Sequence, residues 1–324
     1  MNKDVKISIV MPVFNVEKYI NKMLKSIYNQ TFNDFELIIV NDGCTDRSEE
    51  IILKYKEIYS NLIYIKQENK GVSEARNVGM KYIKGKYTLF LDSDDFINEY
   101  MLEKLYNTAE KNKADIVICN FKIIYDDYLQ SINNNFNFDE SKVYNNKEVI
   151  DLMLNLQING VLWNKLFLSE NIFRNKMSFE RGRIIEDWLP VIKEVIHSNR
   201  IVFINEILYF YRQRDTSCLH KKSMQNINDY HHTVKSICNI INESKVFINK
   251  ESYYNFIAQT QTTEIKILMK LGKKISNSIY KKYSLISLNL FELVFRTKCS
   301  LYIKVKLILY KLNLLHLFLK INSK

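Results

Sequence analysis

Extended apolar runs and helical periods alternate through the first third of the chain. Ile7-Ser8-Ile9-Val10-Met11 reads as a buried strand that ends at Pro12. Ile20, Met23, Leu24 and Ile27 then fall at i, i+3, i+4 and i+7, one face of a helix. Glu36-Leu37-Ile38-Ile39-Val40 is a second strand, and a second helix runs from Asp46 to about Tyr59, with Asp46 and Glu49 spaced as a capping box. Leu62–Ile65 is a third strand, Val72–Ile83 a third helix and Tyr87–Leu91 a fourth strand. A helix from about Asn98 to Lys111 and a strand Asp115–Cys119 follow. Such alternation predicts an α/β fold, a mainly parallel sheet with helices on both faces. Ligands of such sheets sit beyond the carboxyl ends of the strands, which here carry the polar loops 41–46, 67–71 and 92–95.

The pattern changes after Tyr125. Residues 125–146 are polar and Asn-rich, a surface insertion or hairpin. Glu148–Gln157 and Glu186–His197 are helical, while Ile201–Ile204 and Leu208–Tyr211 are strand candidates. Only helical periods follow, including Tyr253–Leu271 and Ile286–Val294, so we expect a catalytic-type α/β domain over 1–215 and a helical domain over 216–324.

Composition narrows the class. Hydrophobic residues are 47% and charged residues 26%, ordinary globular values, and only 7 Gly and 2 Pro argue against a turn-rich β-sandwich. The net charge of +11 suggests nucleic acid until its distribution is considered. No acid follows Glu292, whereas Arg296, Lys298, Lys304, Lys306, Lys311, Lys320 and Lys324 do, leaving the first 295 residues at about +4. An acidic partner therefore belongs to the tail, and we expect no nucleic-acid binding. Five scattered cysteines form neither a disulfide framework nor a CxxC site, which fits a reducing cytoplasm. Asp4 stands where a signal peptide would be apolar, and no apolar stretch approaches 18 residues. The expected location is cytoplasmic, with peripheral attachment to the inner face of the membrane through the tail.

Leu91-Asp92-Ser93-Asp94-Asp95 is the first chemistry-bearing segment. Clustered carboxylates at a strand's end repel one another unless a cation joins them, and hard oxygen donors suit Mg²⁺ or Mn²⁺. An isolated D-x-D is more often a helix cap. Here it has company: Val10-Met11-Pro12-Val13-Phe14-Asn15, Asn41-Asp42-Gly43-Cys44-Thr45-Asp46 and Asn69-Lys70-Gly71-Val72-Ser73-Glu74-Ala75-Arg76-Asn77. In this order and spacing the motifs resemble family 2 glycosyltransferases of the GT-A fold, strongly over residues 6–120. The resemblance continues more loosely through Trp163-Asn164-Lys165-Leu166-Phe167, Glu186-Asp187-Trp188 and Tyr211-Arg212-Gln213-Arg214, a set seen in bacterial members that build surface polysaccharides.

The resemblance implies an inverting, metal-dependent transfer from a nucleotide-sugar, a UDP-sugar by preference, to a glycan or lipid-linked acceptor. It places Pro12, Val13, Phe14, Lys70 and Ser93 at the nucleotide, Asp42 on the nucleobase imide and Arg76 on the diphosphate. Asp92 falls to the ribose or the metal's water shell, Asp94 to the metal itself, and Asp95 to a helix cap. Inversion requires a base opposite the leaving group. Asp187 is the candidate, with Glu186 orienting it or holding an acceptor hydroxyl. Lys165, Arg212 and Arg214 are candidate cations for the leaving diphosphate, although each alone is as readily a surface charge. The five histidines lack partners at metal-ligand spacing and read as structural or solvated. Rival readings are a sugar-nucleotide nucleotidyltransferase, which lacks its Gly-rich loop after the first strand, and a basic nucleic-acid-binding module.

The tail repeats the amphipathic theme twice. Leu301, Val305, Ile308, Leu312, Leu315 and Leu319 form one stripe, and Ile303, Leu307, Tyr310 and Leu314 a second. One stripe is expected against protein, the other against an anionic membrane or a second subunit, which would make a dimer.

Overall fold

The computed structural model describes residues 5–125, 128–134, 136–213, 223–244, 246, 249–271, 295–297 and 299–312. The chain forms two compact units: Met1–Asn146 with Gly160–Thr216, and Lys147–Asn159 with Ser217–Lys324.

Strands β1 (Ile7–Val13), β2 (Phe35–Asp42), β3 (Leu62–Gln67) and β4 (Tyr87–Phe90) form a parallel block in the order β3-β2-β1-β4. Consecutive residues of β1 and β2 are all buried because both faces of the sheet are covered. Ile7, Ile9 and Met11 share one apolar cluster with Ile20, Met23, Leu24 and Ile27 of α1 (Ile20–Tyr28), Ile52 of α2 (Ser48–Ile58) and Leu102 and Leu105 of α4 (Met101–Asn112). On the opposite face, α3 (Val72–Met80) lies so close that a Cβ at Gly79 would fall 2.6 Å from Val10 Cγ1. A nine-residue helix such as α1 is marginal alone. Burying its four apolar residues at roughly 1.5–3 kcal/mol each secures it.

Beyond β4 the sheet becomes mixed. β8 (Lys165–Leu168) runs antiparallel between β4 and β6 (Ile116–Tyr125), and β9 (Ile201–Gln213) runs parallel to β6. β5 (Phe96–Ile97) closes on β9, and β7 (Tyr128–Asn134) makes a hairpin with β6. Two sequence expectations change here. The strand expected to stop at Cys119 continues to Tyr125, because β9 and β7 supply partners along its second half. The two strand candidates Ile201–Ile204 and Leu208–Tyr211 are one strand, β9, whose register against β6 shifts around Asn120, so polar Asn205 and Glu206 interrupt the apolar pattern without ending pairing. Helices α6 (Ser169–Arg174) and α7 (Trp188–His197) complete this unit.

The second unit contains α5 (Asn146–Leu154), which begins at the boundary, α8 (Met224–Glu243), α9 (Lys250–Lys270) and α10 (Leu301–Lys311). α10 packs on α9. Leu307 and Tyr310 are buried, while Leu301 is 77% and Leu312 51% exposed. Of the two tail stripes, one is thus covered and the other open across this helix. Residues 313–324, 286–294 and Arg214 lie outside the described residues. No helix among the described residues is long and apolar enough to cross a membrane.

Candidate active site

Three loops meet beyond the carboxyl ends of β1, β2 and β3. Asp42, the last residue of β2, is buried. Its Oδ1 accepts from the Gln67 amide at 2.7 Å and the Lys70 backbone N–H at 2.8 Å, and its Oδ2 from the Gly71 N–H at 2.9 Å. Oδ2 keeps room for another donor. Gly43 (φ +76°) and Gly71 (φ +87°) adopt left-handed backbone. A Cβ at Gly43 would lie 2.8 Å from the Asn69 nitrogen, so glycine is required where the two loops touch. Asn15 holds the first loop to the second by accepting from Thr45 N–H at 2.8 Å. Phe14 is 45% exposed at this rim, and the Lys70 side chain is exposed. Pro12 and Val13 are buried in β1, Val13 within the core cluster. Of the expected Pro12–Phe14 lining, only Phe14 presents its side chain.

Asp46 precedes Arg47, the N-cap residue of α2, and accepts from the Glu17 N–H at 2.9 Å and from the N–H of Ser48, the first residue of α2, at 3.0 Å. Glu49 turns to Lys66 and Tyr64, so the reciprocal capping box does not form and Asp46 ties the first loop to the helix start.

Beside this cradle lies a dense charge cluster. Arg76, one turn into α3, is buried, donating from Nη2 to Asp92 Oδ1 at 2.7 Å and from Nη1 to Glu186 Oε1. Burial opposes its charge, but Glu186, Asp92 and Asp187 outweigh that and hold it more firmly ionised than usual. Two carboxylates thus already occupy the terminal nitrogens of the guanidinium expected at the diphosphate. Its buried Nε has no hydrogen-bond partner among the described residues. The loop leading to Glu186 is fastened to α3. Asn77 and Phe179 exchange hydrogen bonds at 2.8 and 2.9 Å, Arg181 pairs in bidentate fashion with Glu74, and the Arg76 guanidinium lies 5.6 Å from the Phe179 ring centre.

Asp187 precedes α7 but its side chain makes no capping bond. Burial, then Glu186, push its carboxyl well above the usual range, with Arg76 opposing. Lys165 is fully buried in β8, donating to the Val161 carbonyl at 2.7 Å and to Asn164 Oδ1 at 2.8 Å. Burial lowers it to about 7, with Asp187 pulling it back up. Lys165 is therefore an interior group and not a surface charge.

The segment after β4 splits into two roles. Asp92 is 30% exposed and Asp94 half-buried, both at the end of the strand. Asp95 is completely buried, accepting from the Tyr209 hydroxyl and, at 2.6 Å, from the Arg212 N–H, so it is an interior tie and not a helix cap. Burial, then Asp94 and Asp92, raise its carboxyl well above the usual range. Ser93 is buried. Arg212 donates from Nε to the Asp94 carbonyl at 3.0 Å, and its guanidinium lies 5.1 Å from the Tyr19 ring centre. Tyr209 and Trp163 escaped sequence reasoning as site residues. They stack at 4.3 Å, with Tyr211 also on Trp163 at 5.6 Å. The alternating aromatics of β9 were the available signal.

Among the described residues no three His, Cys, Asp or Glu side chains converge on one point. Asp92 and Asp94 could therefore offer a metal only part of its shell, the remainder coming from ligand oxygens and water. Hard carboxylate donors on a partly exposed loop fit Mg²⁺ or Mn²⁺ in that mode.

The sequence matches the family described as Glycosyl transferase family 2 over residues 8–161. It is 33% identical over 221 residues to Glycosyltransferase GlyG of Streptococcus pneumoniae, covering 66% of this chain and 72% of that one. It is 28% identical over 276 residues to poly(ribitol-phosphate) β-N-acetylglucosaminyltransferase TarP of Staphylococcus aureus, covering 83% of this chain and 81% of that one. Across several bacterial relatives the chain spans between 25% and 72% of their length. Among solved structures, S. aureus TarS 1–349 in complex with UDP-GlcNAc superposes with a TM-score of 0.59 at 20% identity, over 79% of this chain and 81% of that one. That likeness speaks to the fold.

Proposed function

The chain belongs to glycosyl transferase family 2, and from that premise we propose that it transfers a sugar from a UDP-sugar to a hydroxyl of a bacterial cell-surface glycan or its lipid-linked precursor, with inversion. One observation carries this reading: Arg76 ties Asp92 of the D-x-D loop to Glu186 of the acidic pair, so donor-side and acceptor-side motifs meet at one buried cation. Family membership also sets aside the nucleotidyltransferase and nucleic-acid readings. TarS, which shares the fold, binds UDP-GlcNAc, and UDP is therefore the nucleotide proposed for this chain.

In this reading Asp42, with one acceptor position left, takes the nucleobase imide, and Phe14 flanks the base. Lys70 lies at the rim. Arg76, near the α3 N-terminus, supplies positive charge toward the diphosphate. A divalent cation held by Asp94, with Asp92, would supply neutralisation of the diphosphate charge. Asp187 removes the acceptor proton as the acceptor oxygen bonds to the anomeric carbon. The bond to the diphosphate breaks, its electron pair leaves with the diphosphate, and the anomer inverts. A carboxyl raised above its ordinary range is a suitable base near neutral pH. Arg212, adjoining Asp94, provides positive charge for the leaving group.

The open stripe of α10 supports attachment of the second unit to anionic lipid at the inner face of the membrane. Deleting residues 296–324 should then abolish cosedimentation with anionic vesicles while UDP affinity persists. Retained cosedimentation removes the tail from that role.

The function itself is tested by melting the protein with UDP, with and without Mn²⁺ or Mg²⁺, and by hydrolysis across UDP-, GDP- and TDP-sugars. We expect a metal-dependent UDP shift and preferential UDP-sugar hydrolysis. Selective GDP- or TDP-sugar hydrolysis would reassign the donor, and absence of any nucleotide-dependent shift would sink the reading.

A further inference from the structure

Asp95 is an acid where packing alone would favour an apolar residue. Its exposure is 0%, and Asp92 and Asp94 stand within three positions. A buried carboxyl is tolerable only when its oxygens are satisfied, and here both are. Oδ2 takes the Tyr209 hydroxyl and Oδ1 the Arg212 N–H at 2.6 Å. Arg212 Nε returns the connection by donating to the Asp94 carbonyl at 3.0 Å. Three hydrogen bonds thus join residues 94–95 to residues 209–212 of β9, which lie more than 110 positions later.

Both sides of this join are rigid. Tyr209 is fully buried and stacked on Trp163 at an interplanar angle of 14°. Immediately after Asp95 the chain enters β5, with Phe96 opposite Phe210 and Ile97 opposite Tyr209, and Asn98 N–H donates to the Leu208 carbonyl at 2.9 Å. The β5 pairing would hold the loop's far end without Asp95. What only Asp95 and Arg212 determine is the position of the Asp94 backbone relative to Arg212.

Resting on the donor-site reading above, we propose that Asp95 is a positioning residue, and that with Tyr209 it sets Asp94 and Arg212 at the separation that receives a divalent cation and the diphosphate between them. The action runs through hydrogen bonds. An amide can accept from the Arg212 N–H through its oxygen and donate to the Tyr209 oxygen through its nitrogen, so asparagine should substitute where alanine cannot.

The experiment is titration calorimetry of Mn²⁺ into the full chain with saturating UDP, alongside thermal melting, for wild type, Asp95→Ala, Asp95→Asn, Tyr209→Phe and Asp94→Asn. We expect Tyr209→Phe and Asp95→Ala to weaken Mn²⁺ by about tenfold or more. Asp95→Asn should recover most of that, and Asp94→Asn should lose Mn²⁺ altogether. Tyr209→Phe keeps the stacked ring, so it tests the tie even if Asp95→Ala does not fold. Folded Tyr209→Phe binding Mn²⁺ within twofold of wild type would overturn the positioning role while leaving the donor site standing. The positioning role falls equally if Asp95→Asn is as impaired as Asp95→Ala. Wild type without Mn²⁺-dependent UDP binding would overturn the donor-site reading and this inference with it.

Discussion

The two halves of the site satisfy their carboxylates differently. In the nucleotide cradle Asp42 is satisfied by one side-chain amide and two backbone N–H groups, with two left-handed glycines shaping the loops. In the transfer half Asp92 and Glu186 are satisfied by the guanidinium of Arg76, and Asp187 is left with a raised carboxyl. Backbone donors are permanent and carry no net charge, so the cradle is fixed in shape. The charge cluster sets one guanidinium against three carboxyl groups, and its net charge shifts with every proton or anion that enters. A rigid half for recognition therefore adjoins a half that responds to charge, which is where proton transfer is needed.

The largest test of this contrast lies in the transfer half. Asp187→Asn should slow transfer by about 10²–10⁴-fold while UDP-sugar affinity, measured by calorimetry, stays within a few-fold. Loss of both together would place Asp187 in donor binding. If Glu186→Gln is inactive and Asp187→Asn active, the base is Glu186.

Next in size is the cluster's dependence on its cation. Arg76→Met leaves Asp92 and Glu186 without their shared partner, and urea unfolding at neutral pH should show a loss of about 3–5 kcal/mol. Adding Glu186→Gln should recover part of it. No change in unfolding would show that the acids relax into solvent and that the cluster is not balanced by Arg76.

The cradle should fail differently, through shape. Gly43→Ala introduces left-handed strain of about 1–2 kcal/mol and a Cβ 2.8 Å from the Asn69 nitrogen, so UDP affinity should drop with little pH dependence. Unchanged affinity would mean that the loop is adaptable.

The smallest effect is the most diagnostic. Burial and Glu186 raise Asp187 to about 7, and a base works only when deprotonated, so kcat should fall about tenfold per pH unit below that value. Stability moves the other way. Between the ordinary carboxylate range and about 7 the folded state holds a proton that the unfolded chain has released, so this group's contribution shrinks as pH rises through that window. A pH profile of wild-type kcat, set beside melting curves over the same range, checks both signs. A wild-type kcat flat from about pH 5 to 8 would remove Asp187 from proton transfer.

Much of this was present in the sequence because it is local. The i, i+3, i+4, i+7 spacing of Ile20 to Ile27 and the apolar runs of β1 and β2 depend on neighbours a few positions away; the helix is found where periodicity placed it, and both strands run on past their expected ends to Val13 and Asp42. The family motifs likewise gather at the strand ends because connections in a parallel sheet return every loop to the same edge. What the tertiary structure alone decided are the pairings across long separations. Arg76 meets acids 16 and 110 positions away, Asp95 meets Tyr209 across 114, and β8 enters antiparallel between β4 and β6. Asp92, Asp94 and Asp95 are the same residue type within four positions, and no local pattern distinguishes them. Their roles diverge because the sheet buries one completely against β9 and leaves the other two at its edge, and burial determines whether a carboxylate must find a partner inside the protein or can await one from solution.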